Sequence, residues 1–241
     1  MTEKKYYKPE LVKAPKLNIP SEDTKDSPLR ELKEGDVIKV KLDNDVGVQR
    51  FSHDIYSSWA SGVRELYNNE ARACRTTMRD NEDVKPEIHI TINPLERQLV
   101  IEGRNSQGIS REIFENSLAV LGVSSNFDGN EVGQFGMGFA SYTTLFEEMI
   151  LETYSRETNE KFSALADSGV EFKILPTPKI KTYGTRLSGT YTDKVKEDKM
   201  IDSIKEYARF SSVPTFIELT EDTDHHSAGM IMCDVYEDGQ A

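Results

Sequence analysis

The sequence has few cysteines and lacks a long apolar run. Cys74 and Cys233 are its two cysteines, and their separation does not fit the spacing of metal ligands, so we expect neither a disulfide framework nor a zinc-stapled fold. We find no run of about 18 apolar residues and no signal-peptide pattern. We therefore expect a soluble cytoplasmic protein that does not bind membranes.

Positive charge is also scarce. The formal net charge is −12, and no Lys or Arg occurs from Glu112 through Ser155. Generic nucleic-acid binding needs clusters of these residues, so the composition argues against it. With 241 residues and 37% hydrophobic content, the chain can bury one sizeable core.

Composition divides the chain into three parts. Residues 1–35 are rich in Lys and Pro, which predicts an extended or disordered N-terminal arm. Residues 36–220 carry the patterned segments of one domain. Residues 221–241 begin with a polar linker and continue into an isolated strand pattern over 228–235, as expected where a following domain begins and is cut short.

A glycine-rich loop is the most informative feature. Residues 133–141 read Gly-Gln-Phe-Gly-Met-Gly-Phe-Ala-Ser and lead into an apolar helical stretch. Such spacing lets the backbone approach an anion, and the following helix offers unpaired N–H groups. The loop is therefore a candidate phosphate cradle, although the same glycines also suit ordinary turns and caps.

A long helix is predicted from Asp54 to about Arg79, where apolar residues recur at helical spacing. Glu65 and Asn69 are four residues apart and so share a face. A carboxylate there can orient or deprotonate a water molecule, and a neutral amide oxygen one turn later can ligate Mg²⁺. The alternative is an ordinary helix with a polar side towards solvent.

Together these segments resemble the GHKL, or Bergerat, ATP-binding domain of gyrase, the ninety-kilodalton heat-shock chaperones, histidine kinases and MutL. Glu65, Asn69 and Ala73 match the family's first box, Glu-x-x-x-Asn-x-x-x-Ala. The family's glycine box is matched by Gly133, Gly136, Gly138 and Ser141, and its late Gly-Thr pair by Gly184 and Thr185. The resemblance covers about residues 53–220. It implies an α/β (α+β) two-layer sandwich with helices on one face of a mixed, mostly antiparallel sheet.

The resemblance also implies roles for single residues, with ATP and Mg²⁺ as cofactors. Glu65 would be the water-activating base, Asn69 the Mg²⁺ ligand, and Thr185 a hydrogen-bonding group near adenine. The phosphate cradle would comprise Gly133, Gln134, Phe135, Gly136, Met137, Gly138 and Ser141. A mobile lid over residues 121–132 would contribute the hydroxyls of Ser124 and Ser125.

One family box departs from its pattern. The family places an Asp that accepts the adenine amino hydrogen where this sequence has Arg104, whereas Gly108 and Ile109 still match. Asn105, one residue later, or Glu102 could replace the Asp. Alternatively, Arg104 favours a different base or marks a site that has lost tight ATP binding.

The remaining elements are predicted from periodicity and turn residues. Residues 36–42 and 46–51 read as a hairpin that adds edge strands, and Ser110 as the N-cap of a helix whose apolar face bears Ile113, Phe114, Leu118 and Leu121. A last helix is predicted over 196–210. Further strands are predicted at 87–91, 98–101, 149–154, 161–166, 170–175 and 184–191.

The sequence-based hypothesis is a nucleotide-operated dimerisation clamp, a homodimer that passes its motion to client DNA or protein through a following domain or second subunit. We expect slow hydrolysis from this chain alone, because no cation is supplied locally for the γ-phosphate. Two alternatives remain. One is a degenerate module with altered or lost nucleotide binding. The other, a kinase-type catalytic domain, is disfavoured because no phosphoacceptor helix is found upstream.

Overall fold

The computed structural model describes residues 33–39, 41–42, 58–115, 120–121, 142–166, 171–176, 178–220 and 229–233. All of them lie in one compact unit, Lys33–Ala241.

A nine-stranded sheet forms one layer of this unit, with strand order β1-β8-β7-β6-β9-β4-β3-β10-β11. Every neighbouring pair is antiparallel except β3 and β10, which are parallel. A separate pair, β2 and β5, is also parallel. The strands are β1 Val37–Lys39, β2 Lys41–Leu42, β3 Glu87–Asn93, β4 Gln98–Arg104, β5 Val120–Leu121, β6 Phe146–Tyr154, β7 Lys161–Ala166, β8 Glu171–Ile174, β9 Gly184–Tyr191, β10 Thr215–Leu219 and β11 Gly229–Cys233.

Helices form the second layer. The described helices are α1 Trp59–Asp80, α2 Arg111–Ile113, α3 Tyr142–Leu145 and α4 Glu197–Arg209. Helix α1 packs against β3, β4, α3 and α4. The two layers confirm the predicted fold class, a mixed and mostly antiparallel sheet with helices packed on it. None of the described helices is both long and apolar enough to cross a membrane.

Strand alternation gives the central sheet two distinct faces. Along β4, Leu99, Ile101 and Gly103 are buried while the residues between them are partly exposed. We call the face that bears Gly103 the inner face, because α1 packs on it, and the face that bears Glu102 and Arg104 the outer face. Burial of each large apolar side chain on the inner face stabilises the fold by about 1.5–3 kcal/mol.

Most element boundaries agree with the sequence-based ones, and one helix differs. Ser110 caps α2 as predicted, its hydroxyl accepting from the backbone N–H of Ile113 at 3.2 Å. Leu121, however, lies in β5 and not on a helix face, because Val120 and Leu121 pair with Lys41 and Leu42 of β2. That pairing takes precedence over the local apolar periodicity.

The two ends of the main sheet clarify two other predictions. Strand β1 is an edge strand, as expected, but its neighbour is β8. The second strand of the predicted hairpin lies outside the described residues. The isolated strand pattern near the C-terminus corresponds to β11, which pairs with β10 and therefore extends the same sheet.

The sheet requires a close approach at one point where β4 and β9 meet. Gly184 has φ +136°, and a Cβ there would overlap the carbonyl oxygen of Gly103. Only glycine fits at position 184, because a side chain there would be incompatible with the backbone conformation and with the close contact to Gly103.

We predict that Gly184→Ala destabilises the domain by more than about 3 kcal/mol or prevents folding, because it adds steric overlap to backbone strain. Gly35→Ala is the matched control, since Gly35 also has positive φ (+86°) but no heavy atom within 4 Å of an added Cβ. It should cost only about 1 kcal/mol. Urea unfolding of both variants checks the difference, and equal losses would show that the contact is unimportant.

Candidate functional site

Helix α1 positions the two polar residues singled out from the sequence. Its N-terminus is capped by Ser58, whose hydroxyl accepts from the backbone N–H of Ser61 at 3.4 Å. Glu65 and Asn69 follow one turn apart, and both are half-buried beside the buried stripe of the helix. The helix therefore places a carboxylate and an amide next to each other at the edge of the core.

The partners of these two side chains differ. Glu65 Oε1 accepts from Arg64 at 3.3 Å (Nε) and 3.2 Å (Nη2). Asn69 makes no side-chain hydrogen bond to any described residue, so its amide oxygen is available to a ligand. A neutral, half-buried oxygen of this kind suits Mg²⁺, which is commonly bound by few protein groups and completed by water and substrate phosphates.

Arg104 and Glu102 lie away from this helix. Both are on the outer face, where Arg104 Nε donates to Glu102 Oε2 at 2.9 Å. The structure does not bring either side chain together with Asn69. Arg104 therefore lies on the face opposite to the one on which α1 packs.

The turn after β4 carries the next three candidate residues. Asn105 is exposed at φ +56°, and its carbonyl oxygen accepts from Arg156 Nη2 at 3.0 Å. Gly108 has φ +68°, and a Cβ there would overlap the Tyr154 carbonyl oxygen. The N–H of Ile109 donates to Thr153 Oγ1 at 2.8 Å. These contacts hold the turn against β6.

Thr185 lies on the inner face beside the end of β4. In the sheet register it pairs with Gly103 on one side and with Thr153 on the other. Thr185 is a buried residue. The Gly-Thr pair thus places a buried threonine next to a glycine of the neighbouring strand.

Glu70 is a buried acidic residue that the sequence analysis did not single out. It is only 4% exposed, and its Oε2 has no hydrogen-bond partner among the described residues. The carboxyl group occupies the space that a Gly103 side chain would fill, since a Cβ on Gly103 would overlap Glu70 Oε2. Ser106 Oγ lies 3.0 Å from the same Cβ position.

Burial dominates the electrostatics of Glu70. Burial, and to a lesser degree the negative charge of Glu102, raises the pKa of Glu70 from 4.5 to about 8. One sequence signal could have found this residue. Glu70 is four residues from both Leu66 and Cys74, so it is an acidic residue in the middle of an apolar stripe.

Residues 122–132 of the predicted lid and the whole phosphate cradle lie outside the described residues. They comprise Ser124, Ser125, Gly133, Gln134, Phe135, Gly136, Met137, Gly138 and Ser141. The chain is described again from Tyr142, where α3 packs against α1. Thr144 Oγ1 donates to the Ser58 carbonyl oxygen at 3.3 Å, which anchors the residues following the glycine loop to the start of α1.

Comparison with known proteins identifies relatives of this arrangement. The chaperone protein HtpG of Chlorobium chlorochromatii is 27% identical over 189 residues, covering 68% of this chain and 30% of the relative. The chain is a distant homologue of the HtpG chaperones. HtpG of Helicobacter pylori is 24% identical over 200 residues (73% of this chain, 32% of the relative). The endoplasmin homolog of Dictyostelium discoideum is 23% identical over 199 residues (71% and 26%).

These relationships confirm the GHKL resemblance drawn from the motifs. The chain spans about 30% of the length of the HtpG relatives it matches. No protein-family model matches it.

The raised pKa of Glu70 predicts a pH-dependent stability. Between pH 4.5 and 8 the folded state keeps a proton that the unfolded state releases, so the free energy of unfolding falls as pH rises. This group contributes a loss of up to about 1.4 kcal/mol per pH unit in that window. Urea unfolding from pH 5 to pH 8 should therefore show a smaller slope in Glu70→Gln than in the wild type.

Glu65→Gln is the matched control for this measurement, because Glu65 is partly exposed on the same helix. A wild-type slope in this variant would assign the pH dependence to the buried carboxyl of Glu70. The same slope in Glu70→Gln and the wild type would show that Glu70 is ionised in the folded protein.

Proposed function

We propose that the chain is the ATP-binding domain of a nucleotide-operated dimerisation clamp with slow ATPase activity. The observation that carries the proposal is the placement of Glu65 and Asn69, one turn apart and half-buried on α1. Distant homology to the HtpG chaperones over 68% of the chain supports the same function.

Each side chain has a defined task in this proposal. Asn69 holds Mg²⁺ through its amide oxygen, and the metal neutralises charge on the phosphates when bound. Glu65 orients the attacking water and accepts its proton, for which a partly exposed carboxylate one turn away is suitably placed. The residues of the glycine loop cradle the phosphates through backbone N–H groups.

The domain assignment follows from the same argument. Residues 36–220 form the ATP-binding domain, residues 1–35 an arm, and residues 221–241 the connection to a following domain. Closure over ATP favours the homodimer, and the client, DNA or protein, is engaged through a following domain or second subunit. Because the chain covers only part of its relatives, these partners are inferred from the clamp mechanism.

A degenerate module that binds no nucleotide is the second candidate. The carboxyl of Glu70 fills space beside Gly103 that a ligand would otherwise approach, and this observation favours loss of binding. A titration with nucleotide separates the two functions directly.

Asn69→Ala should lose Mg²⁺-dependent ATP binding, because it removes the metal-ligating oxygen. We would titrate the wild-type chain and the variant with ATP, with and without Mg²⁺, by calorimetry. The expected loss of affinity is at least about tenfold, equivalent to one strong hydrogen-bonding or ligand contact. Full affinity in the variant would contradict the metal assignment, and absence of binding in the wild type would favour the degenerate module.

Glu65→Ala should bind ATP, fail to hydrolyse it and accumulate as a dimer. Hydrolysis would be followed by phosphate release and association by light scattering, with ATP or a non-hydrolysable analogue present. Glu147→Ala is the matched control, because Glu147 is an exposed glutamate paired with Arg97 on the sheet. Unchanged turnover in Glu65→Ala would remove Glu65 from the mechanism, and a monomer under all conditions would exclude the clamp.

A further inference from the structure

Two tyrosines at one end of the sheet form a partly exposed aromatic pair. Tyr154 is the last residue of β6, and Tyr183 directly precedes β9. Their ring centroids are 4.2 Å apart. Both hydroxyls donate to Asn159 Oδ1, at 2.9 Å from Tyr154 and 3.0 Å from Tyr183. The shared acceptor fixes the two rings relative to each other, so this surface is ordered in the absence of any ligand.

Two cations lie over the rings of this pair. The guanidinium carbon of Arg156 is 4.6 Å from the centroid of the Tyr183 ring, and Lys161 Nζ is 4.3 Å from the centroid of the Tyr154 ring. Each cation also donates to a backbone carbonyl oxygen, at 3.0 Å from Arg156 Nη2 and 3.2 Å from Lys161 Nζ. Aromatic rings and carbonyl oxygens therefore hold both charges in place. We call Tyr154, Tyr183, Arg156 and Lys161 the tyrosine–cation patch.

The cations of the patch differ from most arginines of the fold in lacking a carboxylate partner. Six described arginines form an ion pair with a carboxylate, namely Arg64, Arg79, Arg97, Arg104, Arg111 and Arg186. Neither Arg156 nor Lys161 forms an ion pair with any described residue. Their charges are thus available to carboxylates of another molecule.

Most of the charges next to the patch are positive as well. Lys179 and Lys181 flank the residue whose carbonyl oxygen accepts from Lys161, and both are exposed. The adjoining turn between β6 and β7 carries two exposed glutamates, Glu157 and Glu160. The cations outnumber these carboxylates, although the whole chain has a formal net charge of −12. A local surplus of positive charge on an acidic protein favours an acidic partner at this part of the surface.

The patch lies on the outer face of the sheet, away from the proposed nucleotide site. In the register of the sheet, Tyr154 pairs with Lys161 on one side and with Gly184 on the other. Gly184 in turn pairs with Arg104, which is on the outer face. Directly paired residues of neighbouring strands point to the same face. A ligand of the patch would therefore bind independently of ATP, and the inference does not rest on the proposed function.

We propose that the tyrosine–cation patch is a docking site for an acidic peptide segment of a partner protein. Arg156 and Lys161 pair with carboxylates of that segment, and the ring edges and hydroxyls of Tyr154 and Tyr183 contact its backbone. Tyrosine and arginine are enriched among the few interface residues that contribute most of the binding energy. Because Asn159 and the stacked cations already fix these side chains, docking costs little further side-chain entropy.

Single-stranded nucleic acid fits the same residues less well. Proteins that bind it combine cations with aromatic faces on which the bases stack. In the patch, the faces of Tyr154 and Tyr183 contact each other and the two cations. Carboxylates need only the positive charge and the hydrogen-bond donors, which the patch still offers.

Fluorescence anisotropy of a labelled decaglutamate peptide, titrated with the full chain, tests the proposal. We expect saturable binding that weakens as the ionic strength rises from about 0.01 M to about 0.15 M. Arg156→Ala and Lys161→Ala should each weaken the binding roughly tenfold, the loss typical of a residue at the centre of an interface. Absence of binding by the wild type would overturn the proposal.

Lys205→Ala is the matched control, because Lys205 is an exposed lysine on α4 and its removal changes the net charge by the same amount as Lys161→Ala. It should leave the affinity unchanged. Equal losses in the two lysine variants would show generic attraction alone and would contradict a docking site. Circular dichroism and urea unfolding would establish that each variant is folded. Lys161→Ala, at an exposed side chain, retains the test if Arg156→Ala does not fold.

An oligothymidylate with as many nucleotides as the peptide has residues distinguishes the two classes of partner. We expect it to bind more weakly than decaglutamate under the same conditions, because the ring faces are not open to bases. Oligothymidylate binding that is as tight or tighter, and that Lys161→Ala weakens, would identify nucleic acid as the partner and overturn the proposal.

Discussion

The contact between β4 and β9 at Gly103 and Gly184 is the constraint on which the site depends. Neither residue has a side chain, and the Gly103 carbonyl lies where a Gly184 Cβ would be. This approach aligns Thr185 with Gly103 on the inner face. It also leaves a space under α1 that the Glu70 carboxyl occupies. Bulk at either glycine would therefore disturb both the central strand pair and the polar groups that face the helix.

Much of the fold was predictable, because its strands and long helix have clear periodicity. The bounds of β7 and β9 agree with the sequence-based ones, and α1 and α4 differ only near their ends. Predictions were less successful where pairing partners are distant in sequence. Leu121 follows a helical pattern but lies in a strand, since its neighbours belong to β2 about 80 residues earlier.

The candidate site was predictable to the extent that it is local. Glu65 and Asn69 share one helix, so their spacing alone places them together. Only the structure shows which side chains lie on which face of β4, because the motif alignment gives the position of Arg104 in the chain and not the direction of its side chain. The surroundings of Glu70 were still harder to predict. The environment of Glu70 depends on Gly103, which is 33 residues later in the chain. A glycine in a strand does not indicate which side chain will fill the space beside it.

Burial of an acidic residue in the apolar stripe of a helix lowers the stability of the fold. Such a residue is informative because packing does not explain its presence. Burial of Glu70 favours the neutral carboxyl and lowers stability as pH rises, while its Oε2 remains unsatisfied in the described structure. Packing alone would favour an apolar residue there, because leaving a buried acceptor unsatisfied costs about 1–3 kcal/mol. Arg104, in contrast, is satisfied by Glu102 on the outer face and has no need of a ligand. Arg104 and Glu70 thus differ in their surroundings: the strand guanidinium faces outward and is paired with Glu102, whereas the helix carboxyl faces the strand and its Oε2 has no partner among the described residues.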